Sequence, residues 1–368
     1  MSKNKKPLVF VAMSGGVDSS VAACLLKEQG YEVVGVTLKL WEYDEVGGNI
    51  FRESICCSIE TINDARNVCN QIGAKHWVFD FKEEFKKNVI SNFVEEYKSG
   101  RTPFPCIICN RKVKWEILGE KVFPLGAEFL ATGHYARIRL DEKTDRYQIL
   151  KAQDLSRDQS YVLWSLSQKD LSKTMFPLGD LTKTQVRELA KKYNLKTANK
   201  PDSQELCFVP DNDYERFFKE WGNGNSVKPG PIFNLKKEKI GEHQGIPFYT
   251  IGQRKGFGKG FGKPMYVAKI EPKENAIYIA EDKELWKKIF TVNQQNWVSI
   301  PKPEKSIKCQ VKIRNQHHPA LATLAVLDEN KIKIEFAKPE RAITPGQSAV
   351  FYDGEILLGG GIIEKVEE

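Results

Sequence analysis

Two cysteines separated by two residues are the side chains of this sequence best suited to chemistry. Cys106 and Cys109 form a C-x-x-C pair, flanked by the cations Arg101, Arg111 and Lys112. Because nearby cations and a helix start both favour thiolate, this is a setting for reactive thiols. The sequence has no second C-x-x-C pair at zinc spacing, so redox or sulfur-transfer chemistry is favoured over a structural zinc site.

Cys207 is the third candidate for sulfur chemistry. It lies in residues 201–208, a segment with more polar residues than a core cysteine needs, although a lone cysteine is most often structural. We expect four of the other cysteines to pack in the interior: Cys24, Cys56, Cys57 and Cys69. Cys309 falls in the predicted C-terminal sheet and has no cysteine neighbour in sequence.

A glycine-rich loop follows the first apolar run of the chain. Residues 8–12 are β-rich, the run Ser-Gly-Gly-Val-Asp-Ser occupies residues 14–19, and a helical pattern follows at once. Two glycines let the backbone turn sharply and present N–H groups, and the serine hydroxyls add donors at the positive end of the helix. The sequence therefore predicts a phosphate-binding loop, although neither the P-loop nor the dinucleotide-binding pattern is present.

The elements that must position these groups alternate between strand and helix. Strand patterns occur at residues 8–12, 31–38, 77–80 and 129–134. With helical patterns between them, they predict an α/β fold with an N-terminal doubly wound parallel sheet. Since ligands of such sheets bind at the carboxyl ends of the strands, the loop, Leu38 and Gly133 should share one edge. Two close prolines predict an exposed loop at residues 100–106, and residues 160–194 have a helical pattern.

Composition shifts divide the chain into three predicted domains. Residues 1–215 would form the catalytic α/β domain, and residues 216–284 a small β-rich domain. Residues 285–368 show short β runs between turn residues, which predict an antiparallel β-barrel or sandwich. The glycine- and lysine-rich residues 222–263 are also compatible with a flexible linker.

Charge and hydropathy limit the class of protein and its partners. The 368 residues include 56 Lys and Arg against 48 Asp and Glu, a net charge of +8 that suits a polyanionic partner. No apolar run approaches the roughly 18 residues that cross a bilayer, so we expect a cytoplasmic protein without a membrane partner. In that compartment the 8 cysteines are not expected to form a disulfide framework.

The loop at residues 14–19 resembles the pyrophosphate loop (PP-loop) of enzymes that split ATP into AMP and pyrophosphate. In that class the loop holds the leaving pyrophosphate. The resemblance therefore implies ATP as cosubstrate and adenylation of a substrate oxygen, with Asp18 as the partner of Mg²⁺.

Over nearly its whole length the chain resembles the tRNA-specific 2-thiouridylases, which place sulfur on the wobble uridine of certain tRNAs. Seven segments match in order: residues 12–19, 131–137, 158–161, 176–179, 201–208, 248–256 and 341–348.

This resemblance implies a role for each matching residue. Cys109 would be the nucleophile and Cys207 the persulfide carrier, with Cys106 beside them. The ATP-binding residues would be Ala12, Met13, Ser14, Gly15, Gly16, Val17, Asp18, Ser19, Leu38 and Gly133. The tRNA contacts would come from Phe104, Pro105, Cys106, His134, Arg157, Asp158, Gln159, Arg314, Asn315 and Gln347.

The implied reaction is 2-thiolation of the wobble uridine in the anticodon stem-loop of tRNA. ATP would convert the C2 oxygen of the uridine into an adenylate, and a persulfide on Cys207 would then displace AMP. Attack by Cys109 would free thiouridine and leave a Cys109–Cys207 disulfide. A separate protein carrying a persulfide would supply the sulfur.

One position departs from the family pattern and leaves alternatives open. Cys106 stands where many members have an aspartate that is often assigned acid–base work near the uridine. Either that task lies elsewhere, or Cys106, Cys109 and Cys207 hold an iron–sulfur cluster with one open iron. Two other functions fit parts of the sequence: another AMP-forming PP-loop enzyme, such as an amidating synthetase or a tRNA lysidine synthetase, and a non-catalytic RNA-binding or redox-sensing protein.

Overall fold

The computed structural model describes residues 6–42, 59–201, 206–222, 227–257 and 260–367. Its strands are β1 (Leu8–Ala12), β2 (Glu32–Lys39), β3 (Lys75–Asp80), β4 (Phe129–Thr132), β5 (Ala136–Asp141), β6 (Arg146–Lys151), β7 (Thr174–Met175), β8 (Gly230–Phe233), β9 (Lys239–His243), β10 (Tyr266–Glu271), β11 (Ala276–Ala280), β12 (Trp286–Trp297), β13 (Ile307–Lys312), β14 (Ala320–Val326), β15 (Ile332–Arg341), β16 (Ser348–Asp353) and β17 (Ile356–Val366). Its α-helices are α1 (Val17–Glu28), α2 (Ile59–Gln71), α3 (Lys82–Phe85), α4 (Ser91–Lys98), α5 (Pro105–Ile108), α6 (Leu118–Val122), α7 (Gln168–Leu171), α8 (Lys183–Lys192) and α9 (Tyr214–Trp221). Two π-helical segments, Lys86–Ile90 and Cys109–Ile117, continue α3 and α5. Within these ranges no helix combines the length and the apolar character needed to cross a membrane.

The chain divides into two compact units. The first comprises Met1–Asn88, Cys106–Asn212 and Glu355–Leu357, and the second comprises Val89–Pro105, Asp213–Gly354 and Leu358–Glu368. In the first unit a five-stranded parallel sheet has the order β3-β2-β1-β4-β7. The predicted parallel sheet is thereby confirmed.

Both faces of this sheet are covered, as β1 shows. Val9 and Val11 belong to a buried cluster with apolar side chains of α1, α2 and α8. Phe10 points to the opposite face, because successive side chains of a strand alternate, and it is 1% exposed beside the Trp77 ring. Strands buried on both faces are typical of a parallel sheet between helix layers, so the doubly wound prediction is also confirmed.

The prediction of one helical region over residues 160–194 is wrong. The structure has a 3₁₀ turn at Ser160–Leu163, then α7 and α8, with β7 between the two helices and parallel to β4. Capping boxes at Ser167 and Thr182 begin α7 and α8 separately, because each side chain accepts a hydrogen bond from a backbone N–H three residues later. These caps were the overlooked signals.

The first unit also contains an antiparallel hairpin that the sequence did not predict. β5 pairs with β6 from Ala136 opposite Lys151 to Asp141 opposite Arg146. On its other side β6 pairs with Ile356 and Leu357, which explains why this short piece of β17 belongs to the first unit.

The predicted exposed loop at residues 100–106 needs correction. Thr102 and Pro103 are buried, and the helix begins at Pro105 because proline is tolerated in the first turn, where its missing N–H costs nothing. Cys106 and Cys109 therefore lie in the first turns of a helix rather than on a loop.

The second unit contains two β structures. A four-stranded sheet of order β10-β11-β8-β9 occupies the middle region, around a small core that includes Ile232, Tyr249 and Val267. This sheet confirms the β-rich reading of the region over the linker reading. Strands β12, β15, β14, β13, β16 and β17 follow in that order, and β12 pairs with β17 to close an antiparallel barrel. The barrel alternative is thus confirmed over the sandwich.

Candidate functional site

The glycine-rich loop ends β1 and opens α1, and the hydroxyls of Ser19 and Ser20 both donate to the Gly16 carbonyl inside it. Gly15 adopts a left-handed φ of +71°, and a Cβ added there would lie 2.7 Å from Thr61 Cα. Gly16 is the N-cap of α1, and no side chain in the described part of the chain caps the helix. Ser19 Oγ accepts from the Ser14 N–H at 3.2 Å, which closes the loop. An uncapped helix start beside a tight glycine turn is a ready site for phosphate.

Gly133 and Leu38 lie at the carboxyl ends of parallel strands, as the sequence predicts. Gly133 follows β4, and a Cβ at this position would lie 2.7 Å from the Ser19 N atom, so only glycine allows this approach to the start of α1. Leu38 is the second-to-last residue of β2 and is 8% exposed. The ATP contacts of all the loop residues stay a prediction.

Asp18, in the first turn of α1, is held from two sides. The Lys183 ammonium lies 2.8 and 2.9 Å from its two carboxylate oxygens, and the Tyr135 hydroxyl donates to Oδ1 at 2.8 Å. Lys183 is 8% exposed and Tyr135 is 3% exposed. Sequence reasoning missed both residues; the available signals were the capping box that begins α8 and the tyrosine two residues after Gly133. A carboxylate is a ligand type that suits Mg²⁺, so Asp18 fits the predicted metal role, in competition with Lys183.

The two cysteines of the C-x-x-C pair differ in exposure. Cys106 is exposed on α5, whereas Cys109 is 9% exposed at the start of the π-helical segment. Next to it, the buried Asn110 donates from Nδ2 to the Val162 carbonyl at 3.0 Å, while its Oδ1 has no hydrogen-bond partner among the described residues. π-helical turns inside helices occur frequently at functional sites.

The cations expected to favour thiolate are themselves paired with acids. Arg111 and Lys112 both contact the Glu116 carboxylate, at 3.5 and 2.6 Å. Arg101, in the second unit, pairs with Glu96 at 2.7 Å. Their charges are thus partly neutralised.

Cys207 is half-buried, and its neighbour Phe208 packs edge-on against Phe85 of α3. Across the described ranges, no group of three or more His, Cys, Asp and Glu side chains is arranged to hold a metal ion. Thiolates are the right ligand type for an iron–sulfur cluster, but Cys106, Cys109 and Cys207 do not form such a ligand set in this conformation.

Three other cysteines are buried: Cys24 and Cys69, as predicted, and Cys309. Burial raises the pKa of Cys24 and of Cys309 to about 12 and that of Cys69 to about 11. These thiols stay protonated at neutral pH and are therefore poor nucleophiles. Cys56 and Cys57 lie outside the described residues.

His134 is enclosed rather than exposed. Its Nδ1 lies 2.7 Å from Thr132 Oγ1, and its ring packs against Trp115 and Phe176. Burial, with a smaller effect of the Lys114 charge, holds the pKa of His134 well below its usual value. The imidazole is therefore neutral at physiological pH, and its contact with tRNA stays a prediction.

The low pKa of His134 predicts acid sensitivity of the first unit. The unfolded chain binds a proton near pH 6.5 and the folded chain does not, so this contribution to stability is complete above pH 6.5 and is lost as the pH falls from there towards the folded pKa. We expect the free energy of unfolding to fall by up to about 1.4 kcal/mol per pH unit in that range. His134→Gln should flatten this slope in urea titrations followed by Trp fluorescence.

The exposed His318 is the matched control for this measurement. His318→Gln should keep the slope of the unaltered protein. A slope in His134→Gln that equals that of the unaltered protein would contradict the buried, neutral imidazole.

The remaining predicted tRNA contacts lie in both units. In the first, Arg157 and Gln159 are exposed, whereas the half-buried Asp158 accepts hydrogen bonds from Ala152 N and from Ser160. In the second, Asn315 is exposed.

Arg314 and Gln347, also of the second unit, contact their own unit. Arg314 donates to the Ala342 carbonyl and to Thr344 Oγ1. The Gln347 amide donates to the carbonyls of Thr102 and Pro103, at 2.9 and 3.3 Å. It thereby supports the segment that carries Phe104, and its direct tRNA contact stays a prediction.

Three family models match the chain in order along its length. They are the tRNA methyl transferase HUP domain over residues 7–211, the tRNA methyl transferase PRC-barrel domain over residues 221–281 and the aminomethyltransferase beta-barrel domain over residues 287–363.

Curated relatives match almost end to end. The tRNA-specific 2-thiouridylase MnmA of Carboxydothermus hydrogenoformans is 48% identical over 97% of this chain and 97% of its own. That of Clostridioides difficile is 47% identical over 99% of both chains. A solved structure, the U34-tRNA thiolase NcsA from Methanococcus maripaludis with its [4Fe-4S] cluster, is 20% identical and covers 60% of this chain and 69% of its own. The TM-score of this match is 0.34.

Proposed function

Because the chain belongs to the tRNA-specific 2-thiouridylase family, we propose that it activates the wobble uridine with ATP and thiolates it through Cys207 and Cys109. The enzyme class is that of a tRNA-uridine 2-sulfurtransferase.

The activation step uses the loop at residues 14–19. The uridine C2 oxygen is a poor leaving group, so the oxygen attacks the α-phosphorus of ATP and pyrophosphate departs. N–H groups at the uncapped start of α1 stabilise the negative charge of the leaving pyrophosphate. Mg²⁺, held with the help of Asp18, would supply further charge neutralisation. The open helix start is the observation that carries this step.

The sulfur step uses two thiols of the first unit. The terminal sulfur of a persulfide on Cys207 attacks C2, and the C2–O bond breaks to release AMP. Cys109 thiolate then attacks Cys207 Sγ, which releases thiouridine and forms a Cys109–Cys207 disulfide. Reduction by an external thiol and a new sulfur from a persulfide-carrying protein complete the turnover. Cys106 lies exposed beside Cys109, and the iron–sulfur alternative would require Cys106, Cys109 and Cys207 to come together as one ligand set, which the described residues do not form in this conformation.

The remaining parts of the proposal concern partners and location. The net charge of +8 suits the tRNA backbone. Single-base chemistry on RNA needs the uridine turned out of its stack, and Phe104 would stack on the extruded base. A cytoplasmic location belongs to the same proposal.

A reconstituted assay tests this function. The purified protein, ATP, Mg²⁺, a persulfide donor and a tRNA transcript with U34 should yield pyrophosphate, AMP and 2-thiouridine in equal amounts, measured by chromatography and nucleoside mass spectrometry. The same tRNA with C34 should yield no thiolated nucleoside.

Each alternative has its own outcome in this assay. AMP formation without 2-thiouridine would indicate another AMP-forming enzyme, and tRNA binding without ATP turnover would indicate a non-catalytic protein. Activity that requires iron and acid-labile sulfide in anaerobic preparations would replace the persulfide relay by the cluster.

A further inference from the structure

The two residues that bind the Asp18 carboxylate, Tyr135 and Lys183, both connect it to the same loop. This loop, the 154–159 loop, lies between β6 and the 3₁₀ turn at Ser160–Leu163. This loop carries Arg157, Asp158 and Gln159, three of the predicted tRNA contacts of the first unit. The nucleotide loop and the 154–159 loop are far apart in sequence, so their connection arises only in the folded chain.

The first connection runs through Tyr135. The main chain of Tyr135 makes two hydrogen bonds with Gln159. The Tyr135 N–H donates to Gln159 Oε1 at 2.9 Å, and the Gln159 N–H donates to the Tyr135 carbonyl at 2.8 Å. The hydroxyl of the same tyrosine donates to Asp18. Because Tyr135 is 3% exposed, its ring is confined by packing, and a shift of Gln159 must reach the hydroxyl.

The second connection runs through Lys183. Its backbone N–H donates to Asp154 Oδ2 at 3.0 Å, while its ammonium binds both Asp18 oxygens. The Lys183 N–H and Ser156 hold the pKa of Asp154 below its usual value, which keeps this carboxylate charged. Asp154 also accepts from the Ser156 hydroxyl at 2.6 Å. Because Asp154 binds both Ser156 and the Lys183 N–H, the 154–156 turn and the start of α8 move together.

The ion pair between Lys183 and Asp18 is a weak source of stability, because taking both charges out of water offsets most of their attraction. Its geometric effect is larger. Two donors fix both oxygens of the carboxylate in the first turn of α1, where pyrophosphate and Mg²⁺ are proposed to bind.

We propose that Tyr135 and Lys183 are positioning residues that couple the 154–159 loop to Asp18, so that tRNA binding at this loop strengthens ATP binding. This inference rests on the proposed function, since it takes tRNA as the ligand of the loop. Binding linkage is reciprocal, so ATP strengthens tRNA binding by the same factor.

Tyr135→Phe tests the coupling, because it removes only the hydroxyl and leaves the ring and the backbone bonds to Gln159. The dissociation constant of an α,β-nonhydrolysable ATP analogue is measured with and without saturating U34 tRNA. We expect about tenfold tighter binding with tRNA for the unaltered protein, and about threefold for Tyr135→Phe, which keeps the Lys183 connection. The tRNA dissociation constant, measured with and without the analogue, should show the same two factors.

Tyr193→Phe is the matched control. The Tyr193 hydroxyl donates to Glu28 at 2.6 Å, so this change also removes one hydroxyl–carboxylate bond between the α8 region and α1, but at the far end of α1. Its coupling factor should equal that of the unaltered protein. Asp154→Ala removes the Lys183 connection instead and should also lower the coupling factor between tRNA and the ATP analogue. It replaces Tyr135→Phe as the test if thermal melts show that Tyr135→Phe does not fold.

The outcomes separate this inference from the proposed function. Unaltered coupling in Tyr135→Phe, or in Asp154→Ala where Tyr135→Phe does not fold, overturns the inference. Independent binding of tRNA and analogue by the unaltered protein, together with normal 2-thiouridine formation, overturns the inference and leaves the proposed function in place. Absence of tRNA binding overturns both.

Discussion

Serine in place of Cys207 or of Cys109 is expected to lower 2-thiouridine formation by about three orders of magnitude or more, because each removes a thiol that must form a bond in the sulfur step. Pyrophosphate release in the presence of U34 tRNA should persist in both variants, since adenylation uses the loop at residues 14–19 and neither thiol. Single-turnover assays that measure pyrophosphate and thiolated nucleoside in the same sample check this separation.

Cys309→Ala is the matched control for the two thiol variants. Cys309 lies on β13 of the barrel and is 5% exposed, and burial raises its pKa to about 12. This variant should thiolate normally after correction for any loss of stability. Normal thiolation by both Cys109→Ser and Cys207→Ser would refute the sulfur relay, and loss of pyrophosphate release with either would link the thiols to activation instead.

Alanine in place of Gly15 should lower ATP turnover by at least about 100-fold, since a displacement of about 1 Å at reacting groups has an effect of that size. Two effects combine at this position. The φ of +71° costs a non-glycine residue about 1–2 kcal/mol, and the added Cβ would lie 2.7 Å from Thr61 Cα of α2, which must move. Both act on the loop proposed to hold pyrophosphate. Steady-state assays of AMP formation at saturating tRNA measure the effect.

Gly73→Ala separates strain from displacement. Gly73 has a φ of +63°, and a Cβ added there meets nothing within 4 Å, so the control has the same backbone strain without the clash. In Gly73→Ala the free energy of unfolding should fall by about as much as the strained φ alone lowers it in Gly15→Ala. The ATP turnover of Gly73→Ala should stay unchanged. Equal turnover in Gly15→Ala and Gly73→Ala would show that the loop does not bind the nucleotide.

The parts of the fold that the sequence predicted are those that local residue patterns determine. Alternating strand and helix patterns indicated the parallel sheet, and the glycines after β1 placed the loop at its edge. The structure has Gly133 beside Ser19 at that same edge, as the rule for carboxyl strand ends requires. Short β runs between turn residues indicated an antiparallel barrel or sandwich, and the pairing of β12 with β17 decides for the barrel.

Tertiary contacts account for most of what the sequence missed. Lys183 meets Asp18 across 165 positions of sequence, and no local pattern marks such a pair. β7 has two residues, too few for a strand pattern, and exists because β4 offers an unpaired edge beside it. His134 follows a strand end and was expected to contact tRNA, yet Trp115 and Phe176 pack against its ring.

The short return of the chain at Glu355–Leu357 has a consequence for dissecting this protein into fragments. Ile356 and Leu357 complete the sheet edge of β6, although most of the first unit ends at Asn212. A fragment cut after residue 212 would leave Ile149 and Leu150 with unsatisfied backbone groups on an open edge, which favours aggregation. The first unit is therefore not separable by a single cleavage after residue 212, because its integrity depends on residues more than 140 positions further along the chain.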